Sequence, residues 1–384
     1  MKQTSPLLLL LALVSFSCGS TLHKIFDRNK TPHEQYADKL ENKKLDETPE
    51  GRMWLAASKQ ALQSPLAVDL PYRQNGYFPS DRPLSLGLKF HAKRGEELTF
   101  SIARKNGYPF PIYSDLFNAN SIDGNPLISM DTASSQFSIE VEETTDYILR
   151  LQPELFRSGQ YTLSISIGPS LGFPVAYAKA NVESFWGDDR DAGKRRHEGV
   201  DIFAPKHSPA IAAADGYITG VKEGGLGGKT VFLRPQGKDY TLYYAHLDKQ
   251  LVREGQFVKK GETVGLVGNT GNAKHTGSHL HFGVYTVAGA IDPFPFIDKT
   301  IHSAAEAPDK NMAVSLKLIK SRKLNDSLVK ANTEFEPLAV TSKGYLAALP
   351  DGRVAELLFN EVKATKKKEN TNVAAKRPKA SSKL

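Results

Sequence analysis

Arg196-His197-Glu198-Gly199-Val200-Asp201-Ile202-Phe203 opens, and His279-Leu280-His281-Phe282-Gly283 closes, the stretch around which the whole chain is organised. Six of the ten histidines fall between His197 and His281, so the chemistry is sought there first. A His and an Asp four residues apart can share a face of a helix or of a strand. Gly199 between them, with Val200, Ile202 and Phe203 around Asp201, favours the strand, where period two sends His197 and Asp201 out of one face. The same period sets His279 beside His281 and turns Leu280 and Phe282 toward an apolar side. Two histidines and one carboxylate on rigid strands are the ligand set of an open divalent metal site. A fourth position is left for water or substrate, and zinc is the default ion.

Between these ends the chain carries, in order, Asp215-Gly216-Tyr217-Ile218, Gly224-Gly225-Leu226-Gly227-Gly228, Tyr243-Tyr244-Ala245-His246-Leu247, the stretch Gly255 to Gly268 and Thr276-Gly277-Ser278-His279, with Ile291-Asp292-Pro293 just beyond. On these residues, from about Phe173 to Ile297, the chain resembles the lysostaphin-type, LytM-like zinc metallopeptidases that cut bacterial peptidoglycan. The resemblance implies that His197, Asp201 and His281 bind one Zn2+, and that His246 and His279 stand at its open side as the catalytic pair. His279 is the candidate to orient or deprotonate the attacking water; His246 is the candidate to hold the other side of that water or the oxyanion. Amide hydrolysis needs such groups, because a metal that acidifies water still leaves proton transfer and oxyanion stabilisation to be supplied. Alternation along the strand from Tyr240 places Tyr244 on the face of His246. Tyr244 and Asn269 are the expected substrate contacts, and the two Gly-rich loops, Gly224 to Gly228 and Gly268 to Gly277, are the expected groove walls. Glu198 invites a His-Glu-x-x-His reading, which fails because position 201 is Asp and the segment reads as a strand. His207 and His275 read as exposed loop residues.

The 384 residues suggest two or three domains, and a net charge of +8 with much of its excess in the last twenty residues gives nucleic-acid binding little support. Cys18 is the one cysteine, which excludes an internal disulfide and any Cys-based zinc site. Residues 1–17 read as an export signal, with Lys2 and an apolar run from Leu7 to Phe16 too short to span a bilayer. Cys18 before Gly19-Ser20 resembles a lipoprotein processing site, although Ser15 stands where an aliphatic residue is usual; ordinary signal cleavage is the alternative. The protein is therefore expected in the cell envelope, lipid-anchored through Cys18 in the periplasm or at the outer membrane.

Residues 18–75 read as a polar tether with a helical portion around Arg52 to Leu62. Over 76–168 the pattern is strict alternation: Leu84, Leu86, Leu88 and Phe90, then Leu98, Phe100 and Ile102, then Phe137, Ile139 and Val141, then Tyr161, Leu163, Ile165 and Ile167. This predicts an antiparallel β-sandwich, similar to bacterial pre-peptidase accessory domains around Thr145–Arg150 and Ser158–Leu163. With His91 alone and no clustered carboxylates, it reads as structural or binding. Residues 169–299 form the expected catalytic domain, in which the loop Asp188-Asp189-Arg190-Asp191 reads as a solvated rim. Residues 300–363 read as a small β-module weakly similar to Src-homology-like wall-binding domains, or as an elaboration of the catalytic unit; 364–384 read as a basic disordered tail. The fold class is thus all-β, a sandwich followed by a β-rich lysostaphin-type metallopeptidase domain. The function expected is a zinc-dependent endopeptidase acting on peptidoglycan crosslinks. The rivals are a non-haem iron oxygenase, which leaves His246 and His279 unexplained, a non-catalytic wall-binding or amidase-activating lipoprotein, and a latent enzyme covered by its N-terminal domain.

Overall fold

The computed structural model describes residues 30–105, 110–130, 132–190, 192–324, 327–349 and 351–366. The export signal expected over 1–17, Cys18 and the tail after Lys366 lie outside the described residues. Among the described residues no helix is long and apolar enough to cross a membrane.

The alternating segments become two sheets packed face to face, as their period predicts. One runs in the order Leu66–Ala67, Leu86–Ala92, Thr145–Pro153, Ile112–Asn118 and Ile128–Met130. The other contains Tyr72–Phe78, Gly159–Pro169, Glu96–Arg104 and Gln136–Glu140. Leu88, Leu98, Phe100, Ile102, Leu149 and Leu163 are fully buried between them.

The stretch expected as a tether is docked where the structure describes it. Helices Pro32–Asn42 and Pro49–Gln63, each started by a threonine cap, lie on the sandwich. Trp54, Ser58 and Ala61, spaced on one helical face, are buried, and the Trp54 indole donates to the Pro153 carbonyl at 2.8 Å. A short apolar stripe inside a charged composition suffices to hold the segment down.

The strands after residue 313 bury both faces. Pro337–Val340, Gly344–Ala348 and Val354–Leu358 extend the sandwich's second sheet, pairing Asn75 with Val340 and Gly76 with Ala339. Ala339, Leu346 and Val354 point into the sandwich core, while Val340, Tyr345, Ala347 and Leu357 point into a further core with Leu316, Leu318 and Phe335.

Between sandwich and C-terminal strands lies the unit that positions the histidines. Its main sheet is antiparallel, in the order Asn181–Ser184, Val200–Phe203, His279–Thr286, Thr241–Leu247, Gly228–Pro235, Gly216–Gly224 and Phe257–Val258. Val200, Ile202, Leu242, Tyr244, Leu280, Phe282 and Val284 fill its buried side. It is fastened to the sandwich by Lys238–Glu140 at 2.7 Å, Arg94–Asp239 at 2.6 Å and Phe296, whose ring packs under Gly95.

Candidate metal centre and its groove

Asp201 and His281 are directly opposed across the central strand pair, with Phe203 opposite His279 one pleat further on. Period two then does what the apolar phase of Leu280, Phe282 and Val284 requires, leaving His279 and His281 on the face away from the core. His197 arrives differently. The strand begins only at Val200, and His197 sits before it, turned in by a bend at Gly199. The expectation of one continuous strand from His197 to Asp201 is therefore corrected. Gly199 makes the bend usable: a β-carbon there would meet the His281 ring at 2.7 Å and the Phe282 carbonyl at 2.6 Å.

The three side chains converge. His197 Nε2 lies 3.1 Å from Asp201 Oδ1 and 3.0 Å from His281 Nδ1, and His281 Nδ1 lies 3.0 Å from Asp201 Oδ1. Donors placed tetrahedrally about 2.0–2.1 Å from zinc are about 3.3 Å apart, so this triangle needs only a small relaxation to accept such an ion. Its chemistry also fits. His197 Nδ1 faces the Phe185 carbonyl at 2.9 Å, an acceptor only, so the proton sits there and Nε2 presents a lone pair. That lone pair meets His281 Nδ1 and Asp201 Oδ1, a nitrogen and a carboxylate oxygen of the kinds that ligate zinc. Burial would raise the Asp201 carboxyl, yet its close contacts with the His197 and His281 imidazoles hold it far below the usual carboxylate range. Burial pushes the His281 imidazole down. Both effects favour the forms that bind metal. His197, Asp201 and His281 thus form a group able to hold a metal ion.

His246 and His279 flank this triangle, with ring centroids 5.1 Å apart and His279 Nε2 3.9 Å from Asp201 Oδ1. His279 Nδ1 donates to the Gly277 carbonyl at 2.8 Å and His246 Nδ1 to the Thr270 carbonyl at 2.9 Å. Each Nε2 is left bare for the groove. The His246 imidazole is pulled down to about 4, by burial first and then by the neighbouring His281 and His279. It is neutral near pH 7.

The route of His246 to the groove breaks the expected alternation. Its backbone is left-handed, at φ 61°, and the pairing with Gly228–Pro235 shifts register beside it, from Val231↔Tyr244 to Lys229↔Leu247. Such a bulge re-aims one side chain. His246 therefore follows Ala245 to the groove instead of Tyr244 to the core. Tyr244 is fully buried, its hydroxyl accepting from the Ala213 amide at 2.9 Å, so its expected substrate contact is corrected. Tyr243 takes the groove position, its ring edge-on to His281 at 5.8 Å. The phase of Leu242 was the signal for this, since Leu242 and Tyr244 share the buried side. Asn269 directs its amide to the carbonyls of Lys274 and Thr276, at 3.4 and 3.5 Å, bracing its own loop.

The groove over these residues encloses about 770 Å³, and every described residue lining it lies between Ser184 and Tyr285. Neither the sandwich nor the C-terminal strands contribute to it. The two Gly-rich loops meet at its wall: a β-carbon on Gly228 would strike the Gly271 amide at 2.4 Å, and one on Gly271 the Leu226 carbonyl at 2.2 Å. His275 is exposed, and His207 pairs with Asp248 at 3.0 Å away from the triangle. Glu198 lines the groove 3.5 Å from the Tyr285 hydroxyl and stands apart from the donors. Arg190, read from sequence as part of a solvated rim, lies within the site: its guanidinium contacts Asp201 Oδ2 at 2.9 Å.

Comparison with known proteins falls on this same unit. The profile of Peptidase family M23 matches residues 195–293. An uncharacterized metalloprotease of Haemophilus influenzae is 44% identical over 100 residues, 26% of this chain and 20% of that protein. The peptidoglycan DD-endopeptidase ShyA of Vibrio cholerae is 31% identical over 164 residues, 40% of this chain and 36% of that protein. The uncharacterized lipoprotein YgeR of Escherichia coli is 35% identical over 101 residues, 26% of this chain and 39% of that protein. The catalytic domain of lysostaphin from Staphylococcus simulans aligns at 30% identity over 30% of this chain and 91% of that domain, with a TM-score of 0.28. The matches span from about a fifth to two fifths of the curated relatives' own length. Residues 195–293 are thus a Peptidase family M23 domain.

Proposed function

We propose that the protein is a zinc-dependent endopeptidase that hydrolyses peptide crosslinks of bacterial peptidoglycan in the cell envelope. The observation that carries this reading is the convergence of three donor atoms 3.0–3.1 Å apart, with two further imidazoles presenting bare Nε2 atoms over an open groove. His197, Asp201 and His281 would hold the ion, and the convergence of their donor atoms supports it. When bound, zinc supplies Lewis acidity toward a water nucleophile and the scissile carbonyl.

The chain's own residues supply the rest. His279, its tautomer fixed by the Gly277 carbonyl, accepts the proton of the attacking water at Nε2 and returns it to the leaving amine. His246, neutral and held by the Thr270 carbonyl, accepts the water's second hydrogen bond and aligns it. Tyr243 and the two Gly-rich walls flank an extended peptide. The relatives ShyA and YgeR, named as a peptidoglycan DD-endopeptidase and a lipoprotein, support the substrate class and the lipid anchor at Cys18 within the proposal.

The test is mass spectrometry of crosslinked peptidoglycan digested by the soluble form that begins at Gly19, with and without a zinc chelator. Chelator-sensitive conversion of crosslinked dimers to monomers is expected and would identify the bond. Neither conversion nor bound metal would transfer the reading to a non-catalytic wall-binding or amidase-activating lipoprotein.

A further inference from the structure

We propose that Arg190 is a positioning residue that holds the Asp201 carboxylate to one-oxygen coordination and so keeps the metal's remaining position open. The inference rests on the metal-centre reading above. Its observation is a division of labour within one carboxylate. Asp201 Oδ1 faces His197 Nε2 and His281 Nδ1, at 3.1 and 3.0 Å, while Oδ2 accepts from Arg190 Nη2 at 2.9 Å. A carboxylate that turned both oxygens to the ion would add a ligand where the nucleophile must sit. A charge-assisted hydrogen bond to Oδ2 opposes that rotation. It also withdraws electron density from Oδ1, which leaves the ion the stronger Lewis acid.

Arg190 is itself braced by the frame that holds His197. It lies on a two-stranded hairpin, Asp189 opposite Arg196 and Arg190 opposite Arg195. Its Nη2 also donates to Ser184 Oγ at 2.6 Å, and that hydroxyl is 2.8 Å from Asp188 Oδ2 and 3.3 Å from His197 Nδ1. The Asp188 carbonyl accepts the His197 amide at 2.8 Å, and the Phe185 carbonyl accepts His197 Nδ1. Residues 184–190 therefore grip the outer atoms of two of the three donors from a single short segment.

The experiment compares the full soluble chain with Arg190→Gln and Arg190→Lys after loading with cobalt(II), whose visible absorption reports coordination number. Zinc affinity is measured alongside by chelator competition. For Arg190→Gln the cobalt band is expected to fall at least about twofold in intensity, as the second Asp201 oxygen enters as a fourth protein donor, and zinc affinity to change by about 10-fold or more. Arg190→Lys keeps a point charge without the planar fork and is expected to recover part of both. An unchanged cobalt spectrum in Arg190→Gln, whatever its melting temperature, would overturn the proposal. Failure of the unmodified chain to bind either metal would instead remove the metal-centre reading beneath it. If Arg190→Gln does not fold by circular dichroism, Ser184→Ala is read in its place; a smaller shift in the same direction supports the proposal and an unchanged spectrum refutes it.

Discussion

At the scale of single residues, the site separates groups that hold the ion from groups that move protons. His281 belongs to the donor triangle and His279, two residues earlier on the same strand face, does not. His281→Ala is therefore expected to lower bound zinc from one equivalent to under about a tenth, while His279→Ala keeps the metal and loses about 10²–10⁴ in kcat, the usual weight of a general base. Elemental analysis beside a turnover assay distinguishes them; full metal in His281→Ala would dismiss its place as a ligand. Gly199 carries a subtler demand. Gly199→Ala places a methyl against the His281 ring and a backbone carbonyl, so about 1–3 kcal/mol of destabilisation and at least about a tenfold loss of zinc affinity are expected. Chemical denaturation and chelator competition measure the two, and unchanged values would show that the strand pair can yield there.

At the scale of elements, the docked helices depend on a neutral histidine. His33 is buried against Trp54, ring centroids 4.7 Å apart, and its Nε2 lies 2.7 Å from Gln152 Oε1. Burial, then the nearby Arg150 guanidinium, pulls this imidazole down to about 4 from 6.5. The folded form disfavours the proton that the unfolded form accepts, so the docking is intact above about pH 6.5. It weakens as pH falls toward 4, by up to about 3 kcal/mol. Melting temperature against pH should show this loss in the native chain and lose most of it in His33→Gln; identical profiles would refute it. The strand elements were legible where burial follows a local period, as at Leu98, Phe100 and Ile102. The helix pair was read as a tether because a few buried positions, His33 and Leu40 on one helix and Gly51, Trp54, Ser58 and Ala61 on the other, make a faint stripe among charged neighbours.

At the scale of the whole molecule, the strands after residue 313 return to the sandwich that precedes the metal-centre unit. Pro337–Val340 pairs with Tyr72–Phe78, so a chain beginning at Phe173 leaves that edge open and bares Ala339, Leu346 and Val354. Such a fragment is expected to self-associate at micromolar concentration even though its groove is intact, and light scattering would show it. A monodisperse monomer would mean that the C-terminal strands are stable alone. Among the described residues the sandwich leaves the groove uncovered, since it meets this unit through Glu140, Arg94 and Gly95, whose partners Lys238, Asp239 and Phe296 do not line it.

The pairs His197/Asp201 and His279/His281 could be found by reading along the chain, since their spacing and the apolar phase of Leu280 and Phe282 are local properties. So could the all-β character, for the same reason: strand period needs only near neighbours. The aim of His246 could not, because it depends on a left-handed residue in a bulge set by the partner strand, and with it went the exchange of Tyr244 for Tyr243. Nor could the contact of Arg190 with Asp201, or the entry of Pro337–Leu358 into the sandwich. These depend on what lies opposite after the chain has folded, and alternation along one strand carries no information about its partner.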